Sequence, residues 1–385
     1  MTQPEAALYG GGARPRLLLV GAGHAHLEVL RQFARRPIEA CRLTVLSPVD
    51  RHVYSGMVPG FLAGQYRFQD ASADVGAMVR AARGELVRGR AARFDAAART
   101  VTTDDGRSLD YDLVSFNVGS RTVRGDDPDV RAHAMVLKPF ELVRDVRARL
   151  ETMAARPPSE TPRVLVVGAG AAGFEVACAA DAVLARGGHG ECVTILEGGS
   201  RILPGYADRV ASLALGALER RHIRVRTGQR VARVEAGAAL LAGGERVEAD
   251  LVLWLVGTTS MGTFEGCGLP LDDRGYLLVD GHLRSVVDRS VFAVGDCATL
   301  ADHPETPKAG VYAVRETPIL VANIVAALRG LPPPARYVPQ AGFLSLLNTC
   351  DGRAILRWKA VAAHARWCWW LKDRIDRAFM AHFIR

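Results

Sequence analysis

One ten-residue pattern occurs twice in this chain, as VGAGHAHLEV at 20–29 and as VGAGAAGFEV at 167–176. Each copy follows an apolar strand-like run, RLLLVG and RVLVVG, and leads into a helix-like stretch. A strand, a glycine turn and a helix in that order present backbone N–H groups at the positive end of a helix, where a diphosphate binds. The first glycine allows the tight turn, the second lets the ligand approach, and the third lets helix and strand pack closely. One match is weak. Two matches, each inside a strand–helix–strand unit of about 30 residues, restrict the fold to paired nucleotide-binding units.

The second copy is complete, with Gly168, Gly170 and Gly173. The strand after it, CVTILE at 192–197, ends in Glu197. A carboxylate there accepts from a ribose 2′-OH and repels a 2′-phosphate, so NADH is expected over NADPH. The first copy keeps Gly21 and Gly23, but His26 stands in the third position. His26 is expected to point away from the strand or to push the helix outward. His24 sits beside the ligand at the helix start, and packing and polarity explain the two histidines better than catalysis. The next strand, RLTVLS, ends in Ser47, with Asp50 nearby as a substitute ribose partner.

Proline-rich segments at 156–162 and 331–339 divide the chain. The expected organisation is a first nucleotide domain over 1–155, a second over 156–284, a return to the first over 285–330, and a small C-terminal helical region over 331–385. The expected class is α/β: two Rossmann-like units, the second inserted in the first. No apolar run approaches the about 20 residues that span a bilayer. The N-terminus lacks the marks of a signal peptide and reads as a loose tail, so a cytoplasmic location is expected. The net charge of +8 comes from scattered arginines, with lysine only at 138, 308, 359 and 372, and nucleic acid is not indicated. Seven cysteines show no metal-ligand spacing, and no metal is expected.

A third motif, SVFAVGDCA at 290–298 with Ser285 upstream, resembles the T-x5-h-F-A-h-G-D signature of the two-dinucleotide flavoproteins. With it, residues from about 16 to 330 resemble the pyridine nucleotide-disulfide oxidoreductase superfamily. The loop SPVDRHVYSGMVPGFLAG (47–64) and the segment VLKPFELVRDVRARL (136–150) are similar to its type II NADH dehydrogenase and sulfide:quinone oxidoreductase branch. YSGMVPG, TPKAGVYAVRE and WWLKDRIDRAFM resemble an NADH-dehydrogenase-like subfamily also found fused to selenophosphate synthetase.

The resemblance implies FAD at the first motif, NADH at the second, and hydride transfer between their rings with no acid or base. It implies that Gly295 and Asp296 contact the flavin nucleotide and that Tyr54 and Met57 lie in the loop over it. A helix starting at Ala309 and Gly310 would point its N-terminus at the flavin, with Lys308 adding positive charge, and Lys138 would be a second such lysine. Glu175 would lie near the flavin as a lysine partner or proton relay. A carboxylate in the first helical turn explains Glu175 equally well.

Departures from the family limit the chemistry. Residues 47–66 hold no cysteine, which excludes the flavin-side CxxxxC disulfide. The stretch AGVYAV (309–314) lacks the glutamines of a quinone-site AQxAxQ helix, which leaves the small-molecule acceptor open, a quinone among the candidates. Alternatives are sulfide- or selenide-directed chemistry through Cys350, and a redox-responsive FAD/NADH-binding protein without turnover. The segment 364–384 shows helical apolar spacing at Trp367, Trp370, Leu371, Ile375, Phe379 and Phe383. Arg366, Lys372, Asp373, Asp376 and Arg377 are expected largely on the opposite face. The stripe is expected to pack on its own domain or a second copy of the chain, or to dock peripherally on the inner face of the membrane.

Overall fold

The computed structural model describes residues 14–37 and 41–384; the N-terminal tail through residue 13 lies outside the described residues. Ten strands form its two main sheets. In chain order they are β1 (Arg16–Val20), β2 (Arg42–Ser47), β3 (Glu85–Arg88), β4 (Leu113–Phe116), β5 (Met135–Val136), β6 (Val164–Val167), β7 (Val193–Leu196), β8 (Arg224–Arg226), β9 (Leu251–Trp254) and β10 (Val291–Ala293). The first sheet has the order β10-β4-β1-β2-β3 and the second β5-β9-β6-β7-β8, and every pairing in both is parallel. Four strands run in the same spatial order in both sheets, β4-β1-β2-β3 and β9-β6-β7-β8, while the remaining edge strand comes last in the chain in the first sheet and first in the second. The last strand of the first sheet, β10, follows the whole second sheet in sequence, so the second unit is inserted in the first.

The central strands are apolar because helices cover both faces of a parallel sheet. Leu17, Leu18, Leu19 and Val20 of β1 are buried, and Leu17 lies opposite Leu43 of β2 and Leu113 of β4. Val164, Val166 and Trp254 play the same part in the second sheet. Each unit also carries a three-stranded antiparallel meander before its return strand, over residues 91–110 and 231–248.

Helix α1 (His24–Arg35) follows the first glycine turn and α2 (Val143–Ala154) leads into the second unit. Helix α3 (Ala171–Arg186) follows the second glycine turn, and α4 (Gly310–Leu328) returns to the first unit. Among the described residues α4 is the helix long and apolar enough to cross a membrane, but Leu320, Ile324 and Leu328 bury its inner side in the core.

The C-terminal region is not purely helical. Strands β11 (Ser345–Asn348), β12 (Ala354–Trp358) and β13 (Val361–Ala365) form an antiparallel sheet ahead of the last helix, α5 (Arg366–Ile384). The expected polarity of α5 is partly inverted. Lys372 and Asp376 are buried, whereas Trp367, Trp370 and Ile375 are exposed. The charged pair turns inward because each member satisfies the other and the protein satisfies the remainder.

Candidate nucleotide and redox site

A cavity of about 540 Å³ opens along the carboxyl ends of the first sheet. Gly21, Gly23, His24 and Ser47 line one part of it, and Lys138, Asp296 and Gly310 line another. Asn117, at the end of β4, ties these parts together. Its Oδ1 accepts from the Ala25 N–H at 3.2 Å, and its Nδ2 donates to the Val294 carbonyl at 3.0 Å. The first turn of α1 and the last strand of the sheet are thereby locked to one side chain. The sequence reading did not single out Asn117; its position directly after an apolar strand facing the glycine turn was the available signal.

His26 neither points away from the strand nor stands idle. Its Nδ1 lies 2.6 Å from the Gly21 carbonyl and its Nε2 lies 2.8 Å from Ser115 Oγ on β4. The ring fills the space that a third glycine would leave for helix packing, and it replaces that contact with two hydrogen bonds. Burial lowers its pKa to about 4, so it is neutral. In the second copy the close contact is real: a Cβ on Gly173 would sit 1.9 Å from the Gly168 carbonyl oxygen.

His24 meets His52 instead, with His52 Nε2 at 3.3 Å from His24 Nδ1. Burial pushes both down, so neither brings positive charge to the cavity. Ser47 Oγ is taken up by the backbone of Val49, and Asp50 pairs with Arg88. Tyr54 does not line the cavity. Its ring packs on His24 and Phe379, and burial and the nearby Asp376 carboxylate hold its hydroxyl protonated. Met57 is a core residue.

Lys138 lies in the cavity wall, with Nζ 2.7 Å from Asp296 Oδ2. Ser120 Oγ donates to the same carboxylate oxygen at 3.0 Å. Burial opposes ionisation of Asp296, but Lys138 and the hydrogen bonds outweigh it, and its carboxyl is held below the usual range. Lys308 does not join this group, contrary to expectation. Its Nζ donates to the Ala298 carbonyl and, at 2.8 Å, to Thr299 Oγ1, and it lies over the Tyr276 ring. Those acceptors hold the ammonium outside the large cavity. Ala309 caps α4, which starts at Gly310 on the cavity wall.

At the second glycine turn Gly170 caps α3 and Glu197 closes β7. Glu197 accepts from the Ala169 and Gly199 N–H groups, each at 2.7 Å. This pins the carboxylate beside the turn with lone pairs to spare for a diol. Arg201 is drawn off by Asp208.

Glu175 lies apart from the large cavity, in a polar cluster roofed by α5. Its Oε1 accepts from the Asn348 N–H at 2.7 Å. The residue keeps some solvent contact, yet protein atoms crowd its carboxyl, and that desolvation pushes it up to about 7 against the pull of Lys372 and the Asn348 N–H. Lys372 Nζ donates to Asp376 at 2.9 Å and to the Gly56 carbonyl at 2.8 Å. The sequence pattern missed Lys372 and Asp376 because an inward ion pair at i,i+4 has the same spacing as a solvated one.

Cys350 is buried and its thiol is pushed well up, first by burial. A thiol held protonated is a poor nucleophile. No cluster of metal-ligating side chains is present among the described residues.

A family model described as pyridine nucleotide-disulphide oxidoreductase matches residues 15–317. An NADH dehydrogenase-like protein of Mycobacterium tuberculosis is 30% identical over 211 residues, 53% of this chain and 53% of that protein. A demethylphylloquinone reductase of Synechocystis is 28% identical over 245 residues, 62% of this chain and 60% of that protein. The chain spans about half the length of these mycobacterial relatives. The sulfide:quinone oxidoreductase of Aquifex aeolicus shares the fold, with a TM-score of 0.79 at 16% identity, over 96% of this chain and 91% of that one. With its matched region running from the start of β1 through α4's opening turns, the chain belongs to the pyridine nucleotide-disulphide oxidoreductase family.

Proposed function

We propose that this chain oxidises NADH through a bound FAD and passes the electrons to a quinone at a membrane surface. The observation that carries the reading is the single cavity running from Gly21 and Gly23 to Asp296, Lys138 and Gly310. The cradle fits a diphosphate, because Gly21, Ala22 and Gly23 line the cavity where α1 begins, and Gly23 packs so closely on Asn117 that a Cβ there would lie 2.2 Å from Asn117 Oδ1. When bound there, FAD would supply a two-electron acceptor for hydride from NADH and a donor to the second substrate.

The chain's own residues then have distinct tasks. The α1 and α4 N-termini offer positive dipole ends to anionic parts of FAD. Asp296, braced by Lys138 and Ser120, accepts hydrogen bonds from cofactor hydroxyls. The turn at Gly168 and Gly170, which Gly173 lets α3 pack against, holds the NADH diphosphate, and Glu197 accepts from its ribose. Glu175 holds a proton near neutral pH beside Lys372, which suits a quinone that takes up two protons with two electrons. The relatives support this acceptor, since one is named a demethylphylloquinone reductase.

Trp367, Trp370 and Ile375 of α5, with Trp358 and Val361 nearby in sequence, are exposed apolar groups flanked by Lys359, Arg366 and Arg374. That combination supports peripheral docking on the inner face of the membrane.

The test is anaerobic addition of NADH to the purified protein. A yellow preparation that bleaches with NADH and recolours with a soluble quinone supports the reading. A protein that cannot be reconstituted with FAD, or a flavin that NADH does not bleach, overturns it. Recolouring by disulfides but not by quinones would replace the acceptor.

A further inference from the structure

Glu316 is a buried carboxylate that none of the roles above uses. It lies on α4, only 6% exposed, and its Oε2 accepts from the Gly295 N–H at 2.7 Å. Gly295 has φ +73° and is the turn that delivers Asp296 to the cavity wall. Behind that turn lies a cavity of about 20 Å³, walled by Gly295, Lys308, Tyr312 and Glu316. That is about the size of one water molecule.

We propose that Glu316 is the positioning residue for the Asp296 turn, and that its ionised carboxylate tightens the grip on FAD while its protonated form loosens it. This rests on the FAD reading above. An ionised acceptor holds a backbone N–H more strongly than a neutral one. The left-handed turn has no other side-chain acceptor on its N–H among the described contacts, so the carboxylate sets where Asp296 stands.

The charges facing Glu316 come from several elements. Asp296 on the turn opposes its ionisation, and Lys308 from the loop before α4 favours it. His303 lines the same small cavity, Tyr312 lies one turn earlier on α4, and Tyr337 approaches from the linker. Asp272 accepts from Thr299, which Lys308 also contacts. Burial is the largest influence and raises the carboxyl to about 7, with the Gly295 N–H and Lys308 pulling it down. The change of state therefore falls near neutral pH.

The experiment is FAD rebinding to apoprotein, followed by flavin fluorescence from pH 6 to 8, for the wild type, Glu316→Gln and Glu316→Leu. Glutamine keeps an acceptor but cannot ionise; leucine removes it. The expected result is a wild-type dissociation constant that rises severalfold as pH falls through about 7, and no such step in Glu316→Gln. Glu316→Leu should bind roughly tenfold more weakly at pH 8. A pH step that persists in Glu316→Gln, or a Glu316→Leu protein that binds like wild type, overturns the proposal. Should the leucine variant not fold, the glutamine profile alone decides. A wild type that binds no FAD at any pH removes the FAD reading and this inference together, whereas normal wild-type binding with unaltered variants removes only the inference.

Discussion

Lys138 Nζ lies 2.7 Å from Asp296 Oδ2, although one residue leads into the second unit and the other closes the last strand of the first. The pair joins two crossings of the chain at the cavity wall. Replacing Lys138 by methionine leaves a poorly solvated carboxylate without its cation, where the hydrogen bond from Ser120 cannot compensate. FAD affinity should fall roughly tenfold, read by fluorescence titration. Unchanged affinity would mean that the pair braces the fold and not the cofactor.

Glu175 makes stability depend on pH. Its carboxyl is raised from 4.5 to about 7, so the folded state binds a proton that the unfolded state has released in this window. The associated stability is full below about 4.5 and is lost as pH rises through about 7. Glu316 is raised to about 7 as well. Urea melts of Glu175→Gln across this window should therefore show a reduced slope that does not vanish.

On the proposed reading, Glu197 sets the choice of nicotinamide cofactor. Glu197→Ser removes a carboxylate fixed by two backbone N–H groups, and with it the acceptor proposed for the NADH ribose and the charge proposed to repel NADPH. The ratio of the two dissociation constants should move toward NADPH by about tenfold or more. Binding titrations of both cofactors check this; an unchanged ratio would place discrimination elsewhere.

His26 is worth more than a missing glycine suggests. Truncation to alanine strands the Gly21 carbonyl and Ser115 Oγ in the core. The apoprotein should lose about 2 kcal/mol in urea unfolding. His26→Gly should lose at least as much, because a glycine there restores neither bond.

The exposed tryptophans of α5 can be removed without touching its buried side. The double variant Trp367→Ser, Trp370→Ser should bind anionic vesicles at least roughly tenfold more weakly, with its melting temperature close to wild type. Equal co-sedimentation with vesicles would show that lipid is not the partner of this face.

Much of this architecture is readable from residue order. The glycine turns, the apolar strands beside them and the Gly-Asp after β10 each depend on local chemistry, which a sequence displays. What stayed hidden depends on partners far away in the chain. Lys308 reads as a cation before a helix, but whether it faces the cavity is decided by the Ala298 carbonyl. Lys372 and Asp376 read as solvated charges, because the Gly56 carbonyl that accepts from Lys372 is distant in sequence. Asn117 carries no signature of its own, since its value lies in touching two backbone segments brought together only by the finished sheet.

The insertion of one unit in the other also orders events during synthesis. Residues 135–254 contain all five strands of the second sheet, while β4 must wait for β10 at 291–293 to cover its outer edge. A ribosome has therefore finished the inner unit before it supplies the outer one's last strand, and until then Leu113–Phe116 remains an open, apolar strand edge. Premature termination between the two strands would therefore release a molecule whose Leu113–Phe116 edge stays open to pairing with another chain.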